Sequence, residues 1–177
     1  MDRLAEARIG NTFNFYREGE RAGLLRERLR GYLATREDAP TLLAGEAPGY
    51  RGGRVSGLPF TSERQLTGTG PAEATATVVQ RVLAELELAD EVLLWNVVPT
   101  HPGTETSNRR PTRAEMEACL PFLEELVAGR RAIAVGRLAE SVLGAPGVRH
   151  PSHGGAADFR AGLATLVPRR TPGPPLL

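Results

Sequence analysis

Three short runs, TLLAG (41–45), EVLLWNVVP (91–99) and RRAIAVG (130–136), each carry a nearly continuous apolar stretch. A strand that is apolar along its length, and not only at alternate positions, is covered on both faces. Helical spacing fills the intervals. Leu24, Leu25, Leu29, Tyr32 and Leu33 precede the first run, and Val78, Val79, Val82, Leu83 and Leu86 follow Pro71 before the second. Met116, Cys119, Leu120, Leu123, Leu126 and Val127 form a stripe before the third. Strands alternating with helices need crossover connections, and crossovers make strands parallel.

A short helix at RLAESVLG (137–144), a fourth strand at GVRH (147–150) and a closing helix at AADFRAGLATLV (156–167) complete the pattern. The expected fold is a three-layer α/β/α sandwich around a mostly parallel four-stranded sheet, in one domain spanning 1–177. Thr112 and Glu115 have capping-box spacing at the start of the third stripe, and Pro121 inside it should kink or restart that helix. Residues 1–20 lack periodicity and are expected to wrap the surface. The Pro-rich tail, 168–177, is expected to be extended or disordered.

Composition narrows the classes. One cysteine, Cys119, excludes an internal disulfide and any Cys-based metal or iron–sulfur site, so no such cofactor is expected. MDRLAEARIGN lacks the apolar core of a secretory signal, and no apolar run approaches the ~20 residues of a membrane span. A soluble, cytoplasmic protein without a membrane partner is expected. The net charge of +1 does not demand a polyanionic partner, but all 22 basic residues are Arg, the better fork for phosphate.

In parallel sheets, ligands bind beyond the carboxyl ends of the strands. That rule selects the loops 46–63, 96–111 and 150–155, which also hold the unusual polar residues. Glu46 follows a buried strand end, where a carboxylate serves as base or charge stabiliser, or pairs with Arg. Phe60 is either a large exposed aromatic face for stacking a base or an anchor beneath the loop. Asn96 interrupts a buried strand, and a buried amide without partners costs ~1–3 kcal/mol. It either bonds neighbouring backbone or matches the O4 and N3–H edge of uracil. His150 and His153 flank Pro151-Ser152 on a tight turn, aimed at a ligand or merely structural.

In sequence order, GEAPG, the Pro59-Phe60 pair, WNVVP, NRRPT with PFL, and RHPSHGG resemble the uracil-DNA glycosylase superfamily over about Leu42 to Leu163. The closest group is the thermostable type whose first motif is GEAPG. The resemblance implies that Glu46 positions or activates water and that His150 donates to the O2 of the departing base. It makes Ala47, Pro48 and Gly49 part of the sugar and base pocket, Phe60 its stacking face and Asn96 the reader of the Watson–Crick edge. Ser152, His153 and Gly154 would grip a phosphate, with Arg109 and Arg110 on a phosphate track.

Four departures accompany it. The iron–sulfur cysteines of the closest group are missing. Ala47 stands where well-known members have an Asp, and Gly49 where they have a Tyr that blocks the thymine methyl. His153 and two glycines replace an apolar wedge, which points to single-stranded or distorted DNA, since unstacking a base costs a few kcal/mol. The implied function is monomeric, monofunctional hydrolysis of the N-glycosidic bond of uracil in DNA. The alternatives are a same-fold glycosylase for another deaminated base, and a nucleic-acid-binding protein with weak or lost catalysis.

Overall fold

The computed structural model describes residues 2–168; Met1 and residues 169–177, which hold nearly all of the expected tail, lie outside the described residues. In chain order the elements are α1 (Asp2–Glu6), α2 (Ala22–Thr35), β1 (Thr41–Gly45), α3 (Gly53–Ser56), α4 (Glu63–Thr67), α5 (Ala74–Glu85), β2 (Val92–Asn96), α6 (Arg113–Val127), β3 (Arg131–Val135), α7 (Arg137–Leu143), β4 (Gly147–Val148) and α8 (Ala156–Leu166). The four strands form one sheet in the order β2-β1-β3-β4. Every pairing is parallel.

Both faces of the sheet are covered, as the apolar runs require. Side chains alternate across a strand, so Leu42, Leu93 and Ala134 pack into one core with α2, α6 and α7. Their neighbours Leu43, Leu94, Ile133 and Val135 pack into the other, against Val79, Val82 and Leu83 of α5 and Phe159 and Leu163 of α8. Register then sets the site. Gly45 pairs with Asn96, and Val135 with Val148, so the strands end together on one side. Beyond the ends, Val97 N–H donates to the Gly45 carbonyl (2.8 Å) and Val98 N–H to the Glu46 carbonyl (3.1 Å), which fixes Glu46 beside Asn96.

Two sequence expectations are corrected. The N-terminal segment is not peripheral: Leu4, Ile9, Phe15 and Tyr16 are 2–3% exposed and belong to the first core. Isolated apolar residues in an irregular segment give no periodicity, so their burial shows only in three dimensions. Asn14 secures them by donating to the Leu4 and Ala7 carbonyls (2.8 and 3.0 Å), and the Tyr16 hydroxyl donates to the Gly57 carbonyl (2.8 Å). Pro121 does not restart the helix. α6 runs through it from Arg113 to Val127, with Pro121 on the exposed side. There its missing N–H deprives only the Glu117 carbonyl of a helical donor.

The capping box forms as expected, and it does more than cap. Glu115 is 2% exposed and accepts from the Thr112 and Asn11 backbones (2.8 and 3.2 Å) and from both terminal nitrogens of Arg109 (2.6 and 2.8 Å). It thus ties together α6, the N-terminal segment and the loop after β2. Hydrogen bonds from Arg109 and the backbone hold its carboxyl down at about 2. Because the folded value is depressed, this stabilisation is complete above the ordinary value of 4.5 and disappears as pH falls through about 2. Glu115→Ala should destabilise the fold by about 2–4 kcal/mol at neutral pH, measured by urea unfolding. A change within about 0.5 kcal/mol, the size of an ordinary surface substitution, would contradict this role.

Candidate active site

The loop after β1 turns back at once. Pro48 is buried, and its carbonyl faces His101 Nδ1 at 2.8 Å. His101 is fully buried, and its Nε2 faces the Thr104 and Ser107 carbonyls at 2.8 and 3.2 Å. The ring therefore clasps the first loop to the second. Asn108 adds a second tie by accepting from Tyr50 N–H (2.9 Å).

Phe60 is not the exposed aromatic expected from sequence. It is 9% exposed, and a Cβ added to Gly45 would lie 2.3 Å from its ring, so the strand end must be glycine for the ring to lie there. Its backbone is left-handed (φ 48°), a strained conformation for a bulky residue. Gln80 holds it there by donating to the Phe60 carbonyl and the Thr61 hydroxyl, both at 3.0 Å. Phe60 is at once anchor and cavity wall.

Asn96 closes β2 at 4% exposure, and among the described residues its side-chain amide has no hydrogen-bond partner. It lines a cavity of about 960 Å³ that also takes in Glu46, Phe60 and His150. The cavity thus brings the four principal predicted residues together. Ala47, Pro48, Gly49, Ser152 and His153 line it too, while Gly154 sits on the exposed turn outside.

Two side chains are set electrostatically. Burial raises the Glu46 carboxyl above the ordinary carboxylate range, and Arg110 opposes that shift. Burial, and secondarily the neighbouring His153, lowers His150. Ser152 N–H donates to His150 Nδ1 (3.2 Å), and the Ser152 hydroxyl lies 2.7 Å from the same nitrogen. An Nδ1 that accepts leaves the proton of the neutral ring on Nε2. Among the described residues Nε2 has no partner, so it is a free donor.

These contacts change two expected roles. The N–H and hydroxyl of Ser152 are engaged by the histidines, with His153 Nδ1 also 3.0 Å from the hydroxyl, so Ser152 orients His150 and is not a free phosphate grip. Both arginines line the cavity, but the Arg109 guanidinium is committed to Glu115, whereas Arg110 has Glu46 as its charged neighbour.

Several pocket residues carried no signal in the sequence, among them Arg137 and, with the clearest contacts, Glu73. Glu73, just before α5, lines the cavity, and its carboxyl lies where side chains on Gly49 or Gly52 would stand: added Cβ atoms would come within 2.2 and 1.7 Å. Burial raises its pKa. An acid in a polar loop carries no local signal of such a role. Cys119 is a lone thiol buried in the core and pushed up to about 12 by burial and the nearby Glu115. One thiol does not fit an iron–sulfur cluster, which takes four.

The ends of the parallel sheet thus gather an aromatic face, an unpartnered amide, a carboxylate and an imidazole at one cavity. The family is explicit: the chain matches the model of the uracil DNA glycosylase superfamily over residues 33–170 and belongs to it. It is therefore a glycosylase-like hydrolase of a DNA-repair family whose members act on DNA. Among solved structures it is similar to SMUG2 of Pedobacter heparinus, at a TM-score of 0.66 and 14% identity, over 92% of each chain. No curated protein matches the chain. Among the described residues no helix is long and apolar enough to cross a membrane.

Proposed function

We propose that this chain is a cytoplasmic, monomeric, single-domain enzyme that hydrolyses the N-glycosidic bond of uracil in DNA, favouring single-stranded or distorted strands. The observation that carries the reading is the unpartnered amide of Asn96 in the same cavity as Glu46 and His150. The extruded uracil stacks on Phe60. The Asn96 amide donates to O4 and accepts from N3–H, two bonds that no described protein group makes in its place. As the C1′–N1 bond breaks, its electron pair leaves with the base, and His150 Nε2–H donates to the developing charge on O2. Preorganised donors of this kind act without reorganisation at the moment of reaction. Glu46 faces the positive charge on the sugar and takes the proton of the water whose oxygen bonds to C1′. The chain has no lysine to form a Schiff base at C1′, which supports hydrolysis without strand cleavage. Where a wedge would fill the vacated stack, the turn offers His153 and Gly154, both exposed, which supports the single-strand preference.

A second reading, the same chemistry on another deaminated base, draws on the wall at Gly49, which has no side chain and is backed by the Glu73 carboxyl. A panel of single-stranded and mismatched oligonucleotides with one uracil, hypoxanthine or xanthine separates the two, read as base release and strand cleavage after alkali. Release of uracil above the purines supports the proposal. Release of a purine base first favours the second reading, and binding without any release leaves a nucleic-acid-binding protein.

A further inference from the structure

The crevice continues past the base pocket. A second cavity, of about 690 Å³, adjoins the first and shares with it Gly136, Arg137, His150, Ser152 and His153. This common wall gives a strand with one base in the first cavity a route out through the second. Two further charged side chains line the second cavity, Glu140 and Arg149. Arg149 is engaged, donating to Asp158 (3.0 Å) and to the His153 carbonyl (3.4 Å). Arg137 and Glu140 lie three residues apart on α7 and so project from one face of it. Both are exposed, and the side chain of neither has a hydrogen bond or ion pair among the described residues. The Glu140 carboxyl rests on Gly147, where an added Cβ would come within 3.0 Å of it.

A free guanidinium suits a phosphate. A free carboxylate repels phosphate but accepts from amino groups and ring N–H groups on base edges. A nucleotide has both parts. We propose that the second cavity is a subsite for the nucleotide next to the excised one in single-stranded DNA, with Arg137 on the intervening phosphate and Glu140 accepting from the neighbouring base. The inference rests on the glycosylase reading and adds a sequence preference to it. Adenine, cytosine and guanine carry an exocyclic amino group that projects from the ring, whereas the one N3–H of thymine lies between two carbonyl oxygens that repel a carboxylate, so thymine is disfavoured at one flank.

The test uses single-stranded oligonucleotides with one uracil, in which the base immediately 5′ or 3′ is varied among all four. Wild type, Glu140→Gln and Arg137→Ala are compared in kcat/KM. The expected result is a value about tenfold lower with thymine than with the amino-bearing bases, at one flank and not the other. Glu140→Gln should level that ratio, and Arg137→Ala should raise KM in every context while keeping it. Equal rates with all four neighbours at both flanks overturn the subsite, as does a thymine penalty that survives Glu140→Gln. A complete lack of base release in every context is a different result: it removes the glycosylase reading and the subsite with it.

Discussion

Glu46→Gln is expected to slow uracil release by about 10²- to 10⁴-fold, the usual range for losing a positioned general base. Glutamine keeps the size and the hydrogen-bonding reach of the side chain but neither the charge nor the basicity. With Ala47 next to it, the closest alternative carboxylate in the cavity is Glu73, whose oxygens lie against Gly49 and Gly52. The pH profile distinguishes the role. Burial raises the folded Glu46 carboxyl above 4.5, so the active, ionised form is present above that raised value and is lost as pH falls through it. The acid limb of the wild-type profile should therefore lie above the range of an ordinary carboxylate, and the residual activity of Glu46→Gln should lack it. An unchanged limb in the variant would assign the titration to another group.

His150→Ala is expected to lower the single-turnover rate by about 10²- to 10³-fold, the usual cost of one donor to a developing anion. Substrate affinity should change far less, because the bond strengthens as charge moves onto O2 in the transition state. Ser152 loses its acceptor in this variant, so the melting temperature should be compared as well. A loss of rate with folding intact supports the role. A variant that binds more weakly in proportion to its loss of rate would make His150 a contact for the ground state only.

Much of the scaffold was legible because strands covered on both faces must be apolar at every position. TLLAG and VLLWN are apolar throughout but for Thr41 and Asn96 at their ends, and each is a strand. The strand order was not legible, since nothing local in β1 states that it lies between β2 and β3. The site divides in the same way. Asn96 and Glu46 are visible because polar groups at buried strand ends are costly without a purpose. The burial of Phe60 depends on the absence of a side chain at Gly45, fifteen residues earlier in the chain. Arg109 looked like part of a phosphate track because its partner, Glu115, showed only its capping function in the sequence. Glu73 and Arg137 carry no local signal, and their place is set by how α5 and α7 pack at the sheet.

The most direct test of the account is a single time course on a single-stranded oligonucleotide containing one uracil, counting free uracil, abasic sites and cut strands before alkali. One uracil is expected for each abasic site formed, in a strand that stays uncut. No free uracil, or strands severed without alkali, would contradict it.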